Sequence, residues 1–307
     1  MKRTFAHLPL RKAAAIAGVV AAMLCGRSRA LAAEEGAPGV EADLESRIVA
    51  SSNLAAGRSG VSQWSSSIDL SAPVAGSDAF GLGVDVVAER LGFGFQNFGG
   101  FIPGKASPLS GASVLSLQPT LALTPSTRWS LIESAQVQYA GAGDARLRDA
   151  ALWAGSSAVA CQYDVGLKIG FGIEVEQRMR ASALILPFPI IDWRISDRWS
   201  LVSLDGESGR LACSITKFLG VYGQLEFQSQ DLRLGRLSSL PSGILRYEAY
   251  PLTVGIQWKP GPHTTASVYG GEAISQSYRF ESARGDLLGL GATHAPILGG
   301  FEIDCSF

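Results

Sequence analysis

The stretch VGLKIGFGIEV, residues 165–175, alternates without a slip. Val165, Leu167, Ile169, Phe171, Ile173 and Val175 hold one parity, and Gly166, Lys168, Gly170, Gly172 and Glu174 hold the other. Successive side chains of a strand point to opposite faces, so the segment presents one apolar face and one polar, roomy face. Eleven residues at about 3.3 Å each, tilted about 40°, rise roughly 28 Å, close to the apolar band of an outer-membrane barrel. Strands of soluble sandwiches usually run about 5–6 residues, too short for that span.

The same alternation recurs in LSLQPTLAL (115–123), GVYGQLEFQ (220–228) and PLTVGIQWK (251–259), with Pro119 a blemish on the apolar parity of the first. In WSLIESAQVQY (129–139), Glu133 shares the parity of Trp129, Leu131, Val137 and Tyr139. Either a bulge shifts the phase there or Glu133 faces outward at a cost. The chain ends in GGFEIDCSF, which sets Phe301, Ile303, Cys305 and Phe307 against Glu302, Asp304 and Ser306. An alternating strand ending in an aromatic residue resembles the signal read by barrel-assembly machinery, which is one expected partner.

Between the strands, short turns at 124–127, 163–164, 196–197, 217–218 and 259–263 carry Pro, Asp, Ser or Gly, as hairpins require. They interleave with longer polar stretches at 89–112, 141–151, 178–188, 228–243 and 276–297, the expected external loops of a membrane meander. RWSL occurs twice, at 128–131 and 198–201, each time just after a short turn. Trp129, Trp193, Trp199 and Trp258 therefore flank the tight turns, and with Phe307 they form the expected lipid-interface girdle. The pattern predicts an all-β, antiparallel up-and-down transmembrane β-barrel of about 14 strands. Glu41–Ser52 barely alternates; losing it would force parity down to 12.

Composition agrees. Of 307 residues, 17% are charged and 36 are Gly, mean hydropathy is +0.19, and beyond the N-terminus no stretch approaches the roughly 18 apolar residues of a membrane helix. The N-terminus reads as an export signal: Lys2, Arg3, Arg11 and Lys12 precede AAAIAGVVAAML, and Ala30-Leu31-Ala32 offers a cleavage pattern. This divides the chain into a signal peptide (1–32), a short segment (33–40) and a barrel (41–307), and predicts a bacterial outer-membrane location. Cleavage removes six of the 26 Lys and Arg and none of the 27 Asp and Glu, leaving 20 against 27, a net of −7. Such a balance argues against a nucleic-acid partner. Cys161, Cys213 and Cys305 are odd in number and lie on apolar parities, so they read as small hydrophobes.

Catalytic raw material is sparse. Only His263, in a turn, and His294, in a long loop, remain for a lipid-modifying hydrolase, and no Ser is marked as activated. Metal-ligand spacings are missing, and the G-x-G pieces at 81–100 precede no helix pattern, so neither metal nor cofactor is expected. The polar parity is the informative one: Lys168, Glu174, Glu176, Asp192, Arg194, Glu226, Glu302 and Asp304 are expected to face the lumen. The reading is a non-enzymatic pore for small solutes among outer-membrane lipids, with a structural or surface-interaction barrel as the alternative.

The stretches LPFPIIDWRISDRWSL (186–201) and RYEAYPLTVGIQWKP (246–260) carry a resemblance. Through Pro189-Ile190-Ile191-Asp192-Trp193 and Ser196-Asp197-Arg198-Trp199, the chain resembles a family of uncharacterised bacterial outer-membrane barrels known only as a domain of unknown function. The resemblance implies the barrel fold from about residue 40 onward and brings no catalytic or binding residue with it.

Overall fold

The alternation of 165–175 becomes β7 (Leu167–Glu176) in a computed structural model that describes residues 39–54, 59–77, 79–204 and 208–307. The proposed export signal and residues 33–38 lie outside the described residues. Val40–Ser306 forms one compact unit, almost all of it strand. In chain order the strands are β1 (Glu41–Asn53), β2 (Gly60–Ser77), β3 (Phe80–Gln96), β4 (Gly111–Leu123), β5 (Trp129–Gly141), β6 (Ala151–Asp164), β7, β8 (Leu184–Arg194), β9 (Trp199–Leu204), β10 (Ser208–Ser214), β11 (Leu219–Glu226), β12 (Gln228–Arg233), β13 (Ile244–Gly261), β14 (Thr264–Glu281), β15 (Leu287–Thr293) and β16 (Ile297–Ser306). Two single-turn helices, α1 (Phe98–Phe101) and α2 (Leu147–Ala150), sit in loops.

These sixteen segments make a closed antiparallel barrel of fourteen staves. β11 and β12 pair in succession with β13, and β15 and β16 pair in succession with β14, so each couple is one broken stave. The second break falls at Ala295, whose φ is 37°, followed by Pro296, which has no N–H to give a ladder. β1 and β16 zip from Glu41↔Ser306 to Val49↔Leu298 and close the ring. The weakly alternating first strand is therefore present, because closure satisfies both of its edges whatever its pattern.

One parity of each stave faces out and is apolar. Phe171, Val137, Val254, Ile256 and Val268 are all exposed. Trp129, Trp193, Trp199 and Trp258 point the same way, all near the short-turn end. The twice-used RWSL has a local cause: Ser126 Oγ accepts the backbone N–H groups of Arg128 and Trp129, and Ser196 Oγ accepts those of Arg198 and Trp199, at 3.2–3.4 Å. Thr216 repeats the device at Phe218 and Leu219. A hydroxyl that accepts from the residues ending its own turn fixes the hairpin and delivers the next side chain outward.

Several expected boundaries move. β14 extends to Glu281 and β15 occupies 287–293, so the long loop expected at 276–297 shrinks to 282–286. The loop expected at 228–243 shrinks to 234–243, and β13 continues through Lys259 and Pro260. Glu133 involves no bulge: β5 and β6 stay in register from Trp129↔Cys161 to Tyr139↔Ala151. It faces outward and accepts a hydrogen bond from Ser157 directly opposite at 2.7 Å.

The long-loop end, the one expected to face outward, is filled. Leu91, Phe93, Phe98, Leu152, Tyr247, Tyr278 and Phe280 belong to one buried apolar cluster, in which Phe280 packs edge-on against Phe95, Phe98 and Phe101. Asp231–Arg233 and Ile244–Tyr247 are buried on both faces, so the upper β12–β13 hairpin folds over the mouth while β13 stays paired with β14 from Ile244↔Glu281 to Ala249↔Gln276. Its tip meets the far side, where Arg233 bridges in parallel to Gly141 of β5.

Candidate functional site in the barrel lumen

Below this plug the inward parity is polar, and the register sets like charges side by side. Asp43 of β1 lies between Asp304 of β16 and Asp69 of β2 on a single row. One row up, Glu302 opposes Glu45, which opposes Ser67, which opposes Glu89 of β3. Like charges directly opposite on adjacent strands destabilise a sheet, so folding alone does not account for two such rows. Carboxylate oxygens of Asp43, Glu302 and Asp304 come within 4.8 Å of one another. They are hard oxygen donors of the kind that suit Ca²⁺ or Mg²⁺.

Two arginines reach these rows from the side. Arg47 on β1 donates to Glu45 at 2.9 Å and to Glu226 on β11 at 3.0 Å. Arg210 on β10 lies 3.3 Å from Glu302 on β16 and stacks 4.5 Å over the Tyr222 ring. Three staves separate the partners in each cross-wall pair, so both pairs span a chord of the lumen. The Tyr269 hydroxyl donates to Glu45, and its ring occupies the space left by Gly300, where a methyl group would overlap it. A cavity of about 230 Å³ remains among Asp43, Glu45, Arg47, Arg210, Glu226 and Glu302.

The expected lumen residues divide into two groups. Glu226, Glu302 and Asp304 join this site. Lys168, Glu174 and Glu176 of β7, with Asp192 and Arg194 of β8, lie on the inward parity of a different sector, where Lys168 opposes Asp192. Among the described residues, no ion pair within 4 Å engages Lys168, Glu174 or Arg194. In that sector Phe188 lies flat on the wall over Gly172 and Ala158, and a methyl group at Gly172 would overlap its ring. Trp129, Trp193, Trp199 and Trp258 are not part of the site, and Phe307 is exposed just beyond β16.

Sequence reasoning missed the group that holds the plug. Asp231, fully buried on β12, accepts from Arg246 Nε at 2.7 Å and Nη2 at 3.0 Å, from Arg178 at 3.3 Å and from the Met179 N–H at 2.7 Å. Arg178 also reaches Glu248 at 2.9 Å, and Arg246 lies 3.5 Å from Glu281. The loop at 177–183 is thereby tied to the inserted hairpin. Arg178, Met179, Asp231 and Glu281 stood in stretches read as loops, where parity carries no signal, so nothing marked the partners of Arg246 and Glu248.

His263 Nδ1 lies 3.3 Å from Ser306 Oγ at the turn end, whereas His294 belongs to the break between β15 and β16 near the outer end. The two histidines do not share a site.

No protein-family model and no curated protein matches the sequence, so the resemblance at Pro189–Trp193 names no family. Among solved structures, the chain is similar to an outer-membrane channel from Pseudomonas putida F1, at 9% identity over 90% of this chain and 100% of that one, TM-score 0.42. It is also similar to the P. putida toluene transporter TodX, at 9% identity over 90% and 91%, TM-score 0.40. LpxR from Salmonella typhimurium matches at 10% identity over 87% and 100%, TM-score 0.35. The fold resembles that of bacterial outer-membrane proteins.

Proposed function

We propose that the protein sits in a bacterial outer membrane and forms a passage for small solutes that prefers cations and is held shut at its outer end by the β12–β13 hairpin. The carrying observation is the pair of carboxylate rows, Asp304–Asp43–Asp69 and Glu302–Glu45–Glu89, facing the lumen. Rings and rows of Asp and Glu favour cations in a water-filled pore, and Arg47 and Arg210 offset only part of that charge. The C-terminal strand serves as the assembly signal, and the outward apolar parity contacts lipid.

The test is a planar bilayer under a KCl gradient. A reversal potential displaced toward that of K⁺, and reduced by Asp43→Asn with Asp304→Asn, supports the reading. An anion-selective or unselective conductance refutes it. The packed aromatic core at the mouth favours a second reading, a structural barrel, which a stably inserted protein without conductance under any opening perturbation would support.

A further inference from the structure

The barrel wall is not equally tall all round. β9 has 6 residues and β10 has 7, whereas β2, β13 and β14 have 18 each. At about 3.3 Å per residue and about 40° of tilt, six residues rise about 15 Å and seven about 18 Å, short of the apolar band of about 25 Å. Trp199 opens β9 at the turn end, so the shortfall lies at the outer end.

Among the described residues, which leave out 205–207 between β9 and β10, the flanking strands do not pair across this gap. β8 pairs with β7 over ten rungs but with β9 over only three, Asp192↔Val202 to Arg194↔Ser200. The Pro189 carbonyl accepts the Ser203 hydroxyl at 2.7 Å, so this residue turns its backbone toward β9. Pro187, two residues away, turns the same way. Neither has an N–H, and a strand cannot zip along such an edge. On the other flank, β10 leaves β11 at Ser208↔Glu226, and β12 above that rung swings inward to β5.

The chemistry of the gap is also distinct. LILPFPII, residues 184–191, holds no polar side chain on either parity. Leu184, Leu186, Phe188 and Ile190 make the inward parity of β8 a run of four apolar side chains, opposite Glu176, Glu174, Gly172 and Gly170 of β7. The sill of the gap, Ser208 and Glu226, lines the 230 Å³ lumenal cavity, where four carboxylates face two arginines.

We propose that this notch is a side portal that admits an amphiphile with one alkyl chain and a cationic head from the outer leaflet. The chain lies along β8, and the head enters the carboxylate-rich cavity. The inference deepens the passage reading and rests on its membrane placement, but it concerns access and not flux.

The test uses full-length protein in liposomes with Cys161, Cys213 and Cys305 replaced by Ala and a single reporter, Ser208→Cys. The expected result is that a bilayer-dissolved pyrene maleimide labels this reporter, as it labels the lipid-facing control Val137→Cys. At about ten times its Kd, dodecyltrimethylammonium leaves roughly one site in ten free, so it should slow labelling at 208 about tenfold and leave 137 unchanged. Labelling at 208 only by a water-soluble sulfonated maleimide overturns the portal. Equal protection by dodecanoate overturns the cationic head. Should Ser208→Cys fail to insert, Gln224→Cys, on the same cavity wall, is the second reporter. Absence of conductance in both the wild type and the Asp231→Asn variant would refute the passage reading and leave the labelling result intact.

Discussion

Asp231→Asn should open the barrel. The substitution keeps the shape of the side chain and removes the charge that holds two guanidiniums and one backbone N–H in a fully buried place. Removing one partner of a buried ion pair costs about 3–5 kcal/mol, because the other charge is left without compensation. Glu248 and Glu281 stay within reach of Arg178 and Arg246, so the lower end, about 3 kcal/mol, applies here. Arg246 is the rung partner of Asp231 on the hairpin itself, so the bonds to Arg178 and to the Met179 N–H are the ones that tie the hairpin to the 177–183 loop, and their loss falls on its seating. At about 1.4 kcal/mol per tenfold, the ratio of open to shut channels should rise about a hundredfold. Single-channel recording of wild type and variant at equal protein density reads this directly, with heat-modifiable electrophoretic mobility confirming that both are folded. A folded Asp231→Asn variant that conducts no more than wild type would refute the assignment of this cluster as the latch.

Gly172→Ala should destabilise the wall by about 1–3 kcal/mol through overpacking against the Phe188 ring, and Phe188→Leu in the same chain should recover part of it; urea unfolding in detergent measures both. Phe280→Ala, at the centre of the aromatic plug, should cost about 3–5 kcal/mol and raise conductance along with Asp231→Asn; a silent, folded variant would exclude the plug as the barrier. Deleting Phe307 should slow insertion in cells and leave the pairing of β1 with β16 intact once formed, which the folded fraction over time will report.

How far the sequence reaches depends on which medium each face meets. β7 was legible because its outward face is apolar and its inward face is charged or glycine, so parity and environment coincide. The same logic places Glu302 and Asp304 inward and gives the fourteen staves. It fails at the long-loop end, where Asp231–Arg233 are buried on both faces and Gln276–Glu281 pair beyond the expected end of their strand. Those residues lose the contrast that marks a strand, and β12 and β15 read as loop. Phe188–Ile191 was legible as a strand but not as an edge, and Leu184–Pro187 fell in the loop expected at 178–188, since which side of Pro189 lacks a partner depends on the register of β9. The pairings Arg47–Glu226 and Arg210–Glu302 were illegible for a related reason: only closure of the ring brings β1 opposite β11 and β10 opposite β16.

In the proposed outer-membrane setting, the uneven wall also acts on the bilayer around it. A wall whose staves rise about 15 and 18 Å at β9 and β10 and about 45 Å at β2, β13 and β14 cannot match one hydrocarbon thickness, and such mismatch is relieved by local thinning or by tilt. Lipids next to β9 and β10 should be compressed and the barrel axis inclined toward that side. The protein would then carry its own thin patch of membrane wherever it diffuses, with the apolar edge of β8 at the centre of it.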